Sequence, residues 1–141
     1  METKDYFLTI TDFTEYPGPR YSNQGDKSGE DFYFNKLNPA FAEAIKSEFP
    51  LTIILDGTAG YASSFLDEAF GNLVYDFTLD KVKNKIKIIS EEEPDWREMI
   101  FNETLPEWEG RRVKQVSPKS TIAHDAWFRW DDNKLLKNVW R

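Results

Sequence analysis

The sequence predicts an α/β sandwich in which helices pack on a mixed or mainly parallel sheet. Strand-like segments are followed by helix-like segments three times along the chain, an order typical of strands joined by helical crossovers. The continuous apolar run at 51–55 is typical of a central strand, and the segment after it has the clearest amphipathic pattern in the chain. A length of 141 residues favours one domain with its own core.

The first third of the chain predicts a strand, a long loop and two helical segments. Residues 5–13 alternate between two sets of side chains rich in β-formers, which indicates a strand. Residues 14–29 are rich in Gly and Pro and predict a long loop of the kind that is often functional. Ser28 is expected to cap a short helical turn. Asn38 followed by Pro39 predicts the start of a second helix that ends near residue 48.

The middle of the chain predicts a strand, a turn and an amphipathic helix. Residues 51–55 are expected to form a strand with both faces covered. Residues 56–62 form a turn, and Ser63 or Ser64 caps the helix that follows. The predicted buried stripe of this helix comprises Phe65, Leu66, Ala69, Phe70, Leu73, Val74 and Phe77. Its predicted water-facing residues are Asp67, Glu68, Asn72 and Asp76.

The remaining segments predict an edge strand, a third helix and a C-terminal extension. Residues 85–90 alternate as a strand near a sheet edge does, and a helix is expected over 94–104, ending before Pro106. Residues 111–116 suggest a strand, and 126–140 suggest either a hairpin or a strand followed by a helix. We therefore divide the chain into an α/β domain at 1–110 and an aromatic and basic extension at 111–141, packed on the domain or on a partner.

Composition and charge exclude several classes of protein. The net charge is −7, but residues 1–110 hold 10 basic and 22 acidic residues, a balance of −12, whereas 111–141 hold 8 basic and 3 acidic residues, a balance of +5. An acidic body argues against nucleic-acid binding through phosphates. The chain has no cysteine, so disulfides and thiolate chemistry are excluded. Residues 1–5 are charged and lack an apolar signal core, and no apolar run could span a bilayer, so we expect a cytoplasmic protein that does not meet a membrane.

Two segments carry a resemblance to a known family. They are PGPR at 17–20 followed by SGEDF at 28–32, and ILDGTAGYASSFLDEAFG at 54–71. Together they resemble the STAS-like family of bacterial domains of unknown function, which is similar to the STAS domains of anti-sigma factor antagonists. The likeness extends over residues 6–104 by pattern, and its strong motifs lie at 17–32 and 54–74.

The resemblance implies a non-enzymatic regulatory domain that binds a protein partner. In antagonists of this fold, a partner of the histidine-kinase-like ATPase type phosphorylates a serine at a helix start, which changes the choice of partner. By this likeness Asp56 matches the strand-end Asp, Thr58 the hydroxyl two residues later, and Ser63 with Ser64 the serine pair. Ala62 stands where antagonists carry an Asp. The partner-binding candidates are Ser63, Ser64, Asp56, Thr58, Asp67 and Glu68.

An alternative is a small-ligand or nucleotide site in the Gly/Pro loop. Arg20 beside a helix start at Ser28, Gly29 and Glu30 could hold an anion through a guanidinium and free backbone N–H groups. The competing interpretation is an ordered loop in which Arg20 pairs with Glu30 or Asp31. No nucleotide-binding motif is present.

Three further hypotheses concern the acidic residues, the single histidine and the aromatic extension. Asp56, Asp67 and Glu68 could hold Mg²⁺ or act as acid and base in a hydrolase, but acids in a first helical turn are more often solvated. We expect no metal and no cofactor, and we treat His124 as an ordinary residue because Asp125 beside it is poorly placed to orient it in a triad. The extension could form an interface, including one between copies of the chain, or fold back on the core. Its aromatic and basic candidates are Trp127, Phe128, Arg129, Trp130 and Trp140.

Overall fold

A three-stranded parallel sheet forms the centre of the protein. The computed structural model describes residues 6–141, and the charged segment 1–5, with the first residue of the predicted first strand, lies outside the described residues. The strands are ordered β1-β2-β3, all parallel, so the prediction of a mainly parallel sheet is confirmed and β3 is an edge strand as expected. They are β1 Tyr6–Thr9, β2 Leu51–Ile54 and β3 Ile86–Ile89.

The first strand is shorter than the alternation predicts. β1 ends at Thr9, and Ile10–Phe13 forms a short helix, α1, in place of the second half of the predicted strand. Ile10 is fully buried, and its carbonyl accepts a hydrogen bond from the Thr14 N–H at 2.9 Å. Burial of Ile10 therefore turns the chain toward the core, and period-2 alternation cannot distinguish this turn from a longer strand.

Helices cover one face of the sheet, and the expectation that β2 is covered on both faces was wrong. Leu51 and Ile53 on β2 are buried, whereas Thr52 and Ile54 between them are partly exposed. The chain runs from β1 to β2 and then to β3 in one direction across the sheet. Because crossovers between parallel strands are right-handed, both connections bring their helices to the same face.

Two long helical segments each contain a π turn and a proline, which corrects two predicted boundaries. Pro39 lies inside the first segment and does not start a helix, and Pro106 lies inside the second and does not end one. Each proline follows a π turn, whose wider hydrogen-bonding pattern accommodates a ring that lacks an N–H. The predicted strand at 111–116 is therefore wrong, because residues up to 113 are helical and 114–116 contain a turn and no strand. The segments are α2 Gly29–Phe32, a π turn at Tyr33–Leu37 and α3 Asn38–Ile45, then α6 Pro94–Met99, a π turn at Ile100–Thr104 and α7 Leu105–Val113.

The central helix packs between α2 and the helix that ends at Val113. This helix, α4 Ser63–Phe77, is followed by α5 Leu79–Lys85 before the chain enters β3. Its predicted apolar stripe is confirmed as buried. Gly71 faces the indole of Trp108 on α7 with no room for a Cβ, so the two helices approach closely at this point.

A β-hairpin follows α7 after an irregular segment, which settles the choice between a hairpin and a strand followed by a helix. Its strands are β4 Trp127–Asp131 and β5 Lys134–Asn138, paired antiparallel. Asp132 and Asn133 form the two-residue turn with φ of 51° and 59°, the left-handed geometry of a hairpin turn. The hairpin packs on α3 and α4. Among residues 6–141, no helix combines the length and apolarity that crossing a membrane requires.

Candidate functional site

The loop after β2 is held by hydrogen bonds to the loop after β3. The Asp56 carboxylate accepts from the backbone N–H of Glu91 at 3.0 Å and of Glu92 at 2.8 Å. The Glu92 carboxylate in turn accepts from the N–H of Gly57, whose φ of +91° suits glycine. Asp56 therefore fixes the shape of the junction between β2 and α4, and its two oxygens are already engaged.

A small cleft of about 100 Å³ lies beside this junction. The Tyr61 hydroxyl crosses it and donates to the Leu55 carbonyl at 2.6 Å, and burial raises the pKa of Tyr61 well above its ordinary value. Thr58 lines the same cleft together with Trp96, whose indole Nε1 is buried without a partner among the described residues. Asp56 and Thr58 both line the cleft, but Ser63 and Ser64 are not among the residues that line it.

The two serines occupy the first two positions of α4, which corrects the prediction that one of them is its N-cap. Ala62 is the N-cap, with φ −83° and ψ 137°, and no side chain caps the helix start. Ser63 is exposed and Ser64 is partly exposed. The free N–H groups of a helix start and the positive end of its dipole thus lie next to two accessible hydroxyls.

Ser63 borders a groove between α4 and the helical segment at 94–113. The groove also contains two arginines, Arg20 and Arg111, and three acids, Asp67, Glu103 and Glu107. Arg20 donates through Nη1 to Asp67 at 2.7 Å and to Glu68 at 3.1 Å, so it pairs with α4 and not with Glu30 or Asp31 as expected. The hydrogen bonds and charges of Asp67 and Glu68 raise the pKa of Arg20, although burial alone would lower it.

The geometry at Ser28 does not support the predicted anion site. Ser28 caps α2, as expected, because its Oγ accepts from the Asp31 N–H at 3.0 Å. The N–H of Gly29 donates to the Pro19 carbonyl at 2.9 Å, and the N–H of Glu30 donates to the Arg20 carbonyl at 3.0 Å. The first donors of this helix are therefore taken by the chain itself, and the Glu30 carboxylate is buried beside them.

A row of polar residues along α4 is buried, whereas the sequence indicated a water-facing side. Glu68, Asn72 and Asp76 recur every four residues and are each 1% exposed. Asn72 donates through Nδ2 to the Glu68 carboxylate at 2.8 Å, and it accepts from Arg141 Nη2 at 2.8 Å. Burial raises the pKa of Glu68, although its bonds to Asn72 and Arg20 act in the opposite direction.

Asp76 is the centre of this row. Its carboxylate accepts from Trp127 Nε1 at 3.1 Å, from Arg129 Nε at 3.0 Å and from Arg141 Nη1 at 2.8 Å. The hydroxyl of Tyr33, which lies in the π turn between α2 and α3, donates to the same carboxylate. Four donors from three parts of the chain therefore converge on one buried charge.

A second buried carboxylate, Glu30, holds the segment between α7 and the hairpin. It accepts from Thr121 Oγ1 at 2.6 Å and from the Thr121 N–H at 3.0 Å, and His124 Nε2 lies 2.6 Å from it. Burial acts to raise the pKa of Glu30, but the hydrogen bonds from Thr121, His124 and Ser22 outweigh it, and the pKa lies below its ordinary value. His124 stacks on Phe34 with ring centres 3.8 Å apart, so its treatment as an ordinary residue missed a buried structural contact.

The aromatic residues of the C-terminal segment pack against the core. Trp127 is 3% exposed, and Trp140 Nε1 donates to its carbonyl at 2.9 Å. Trp130 lies under the Lys81 ammonium, 4.0 Å from the ring centre. Phe128 pairs through its backbone with both ends of the Asn38 amide, at 2.8 and 2.9 Å. This arrangement agrees with the interpretation in which the segment folds back on the core.

A parallel sheet whose central strand leads through a turn into a helix start defines an α/β domain of the kind that the motifs indicated. Residues 28–96 match the family model described as a STAS-like domain of unknown function (DUF4325), so this part of the chain is similar to that family. The match extends from Ser28 through the junction and α4 to Trp96, and it confirms the resemblance stated from the sequence over these residues. No curated protein and no solved structure matches the chain. Within residues 6–141, His, Asp and Glu nowhere form a cluster of three that could hold a metal ion.

Proposed function

We propose that this protein is a non-enzymatic, cytoplasmic regulatory domain that binds a protein partner through the start of α4, in the manner of an anti-sigma factor antagonist. The partner is a histidine-kinase-like ATPase that phosphorylates Ser63 or Ser64. The single observation that carries the proposal is the state of these serines: they lie on the surface at a helix start without a side-chain cap, beside a groove whose two arginines, Arg20 and Arg111, are paired with acids.

Phosphorylation at this position has a physical basis in the groove. A phosphoserine brings a charge of about −1.5 to −2 and three acceptor oxygens. At Ser63 it would meet the N–H groups of the first helical turn and compete with Asp67 for the Arg20 guanidinium. Because Arg20 belongs to the Gly/Pro loop, this competition would loosen or reposition that loop at the partner-binding surface.

Asp56 and Thr58 have a supporting role in this proposal. Asp56 holds the loop in place through the N–H groups of Glu91 and Glu92. Thr58 lies on the same loop, at the cleft. A partner that covers the helix start would also contact this loop, which explains why residues on both sides of the turn belong to one motif.

The experiment uses the full chain and a histidine-kinase-like ATPase encoded in the same genome. The two proteins are incubated with ATP, and intact-mass spectrometry counts the phosphoryl groups transferred. We expect one phosphoryl group on the wild type and on Ser117→Ala, an exposed-serine control, but none on the double variant Ser63→Ala/Ser64→Ala. Binding of the ATPase, measured by calorimetry, should weaken by about tenfold or more in Ser63→Asp.

Two results would contradict the proposal. Transfer to the double alanine variant would place the modification elsewhere. A wild type that is neither phosphorylated nor bound by any such ATPase would remove the regulatory role.

A further inference from the structure

The sheet has a second face that the described chain leaves open. In register across the three strands, Phe7 lies beside Thr52 and Lys87, and two residues further on Thr9 lies beside Ile54 and Ile89. Because side chains alternate along a strand, these six residues share one face. Phe7 is 60% exposed and Ile89 is 36% exposed, whereas Ile53 and Ile88 on the opposite face are buried.

An open face is unusual for an all-parallel sheet. Such sheets occur almost only with both faces covered, because helical crossovers normally lie on each side. Here both crossovers lie on one side, and the later elements add to that same side: α7 packs on α4, and the hairpin packs on α3 and α4. Residues 6–141 therefore supply no element for the second face, although its central strand still carries an aliphatic residue there, Ile54.

The size of the face indicates its occupant. Three strands spaced about 4.8 Å apart and four residues long give a surface of about 14 by 13 Å, or roughly 200 Å². A stable interface between two copies needs about 800 Å² from each, so this face alone is too small for self-association. One helix is about 10 Å wide and rises about 16 Å in three turns, which matches the surface.

Charge indicates the chemistry of that helix. The segments that follow the three strands, at 10–16, 55–62 and 90–95, contain seven acidic residues and no Lys, Arg or His. Hydrogen bonds join these segments at one edge of the sheet, from the Ala59 N–H to the Glu15 carbonyl at 2.8 Å and from the Glu91 N–H to Asp56. The open face is thus bordered at the carboxyl ends of its strands by segments rich in acidic residues.

We propose that the open face of the sheet, formed by Phe7, Thr9, Thr52, Ile54, Lys87 and Ile89, docks an amphipathic helix of a protein partner whose apolar stripe is flanked by Lys and Arg. The helix completes the sandwich that the chain leaves one-sided, and its basic residues meet the acidic segments. This surface lies across the sheet from the helices, so it can be occupied independently of the start of α4.

The test uses the full chain and a synthetic probe peptide of about 14 residues, four helical turns of Leu and Lys in amphipathic order. Binding is followed by fluorescence anisotropy, and the contact surface is mapped by amide chemical shifts of the wild type. We expect shifts concentrated on β1, β2 and β3, and an affinity at least tenfold lower for Phe7→Gln/Ile89→Gln. The matched control Val116→Gln, 54% exposed outside the sheet, should bind within twofold of the wild type, and a peptide with Glu in place of Lys should bind at least tenfold more weakly.

Several outcomes would overturn the proposal. These are no binding of the Leu/Lys peptide, amide shifts that map to α4 or the hairpin, or equal binding of the Leu/Glu peptide. A wild type that sediments as a dimer, with Phe7→Gln/Ile89→Gln a monomer, would show that a second copy covers the face. Partition of the wild type onto neutral lipid vesicles, lost in the double variant, would identify a membrane as the occupant. The shift map needs no variant, so a misfolded variant would not leave the question open.

Discussion

The start of α4 is exposed to solvent, whereas the polar row further along the same helix is buried. At the start, Ser63 and Ser64 reach the surface and no side chain caps the helix. One to three turns later, Glu68, Asn72 and Asp76 are sealed from water and hydrogen-bonded to residues distant in sequence. The comparison shows that the covering elements, and not the helix itself, determine which polar residues are structural and which are free to act.

The two regions are nevertheless linked through Arg20. Its guanidinium bonds to Glu68, the first residue of the buried row, and it lines the groove that Ser63 borders. From Glu68 the hydrogen bonds continue through Asn72 and Arg141 to Asp76. In the proposed function, a change of charge at Ser63 would therefore act on a residue that also anchors the row, which would give the switch a route into the fold.

Among the variants that compare the two regions, Asp76→Ala is expected to lower the free energy of unfolding the most. Its carboxylate accepts from Tyr33, Trp127, Arg129 and Arg141, so its removal leaves buried donors and two arginines without their partner. We expect the free energy of unfolding to fall by about 3–5 kcal/mol, measured by urea denaturation.

The control for this variant is Glu98→Ala, an exposed acid on α6. Its effect should stay within about 0.5 kcal/mol. A loss for Asp76→Ala no larger than that of the control would mean that the row is not structural, and the contrast with the helix start would disappear.

The sequence predicted the elements that depend on local pattern. The central strand that begins at Leu51, the buried stripe of α4, the edge strand and the helix start at Pro94 were all recognisable, because hydrophobic periodicity and helix-start signals are encoded locally. The two helix boundaries at prolines were misplaced, because π turns that accommodate a proline have no comparable sequence signature.

The sequence could not show which element covers a polar face. Periodicity identified Glu68, Asn72 and Asp76 as one side of a helix, but the arginine and tryptophan that meet Asp76 lie more than 50 residues away. The same limitation hid the contact of His124 with Glu30, 94 residues apart. The one available signal was compositional: an acidic body followed by a basic, Trp-rich segment favours attraction between them.

An intermediate loss of stability is expected for Glu30→Gln. This variant tests whether a buried carboxylate outside α4 stabilises the fold as Asp76 does. The loss at about pH 7 should be about 2 kcal/mol, since charge-assisted hydrogen bonds to Thr121 and His124 are weakened. The pKa of Glu30 is lowered in the folded protein from its ordinary value of 4.5. Its stabilising contribution is therefore complete above that value and is lost as the pH falls through the lower, folded-state pKa.

The pH profile of the same variant provides the check. Urea denaturation of both proteins between about pH 7 and pH 3 should show the gap between wild type and Glu30→Gln narrowing below pH 4.5. A gap that is constant with pH, or that widens in acid, would show that the folded protein does not hold Glu30 as a carboxylate through these bonds.

The smallest loss of stability is expected for substitutions at the start of α4. Ser28 provides the comparison, because it does cap a helix. Ser28→Ala removes the Oγ that accepts from the Asp31 N–H and should cost about 1 kcal/mol. Ser63→Ala removes a hydroxyl at the first position of α4, where Ala62 is the cap, so its cost should lie within about 0.5 kcal/mol. Thermal and urea unfolding of the two variants measure the difference directly. If Ser63→Ala proved as costly as Ser28→Ala, the Ser63 hydroxyl would be a structural cap. The start of α4 would then have a structural role, as the buried polar row has, and would not be free for partner binding.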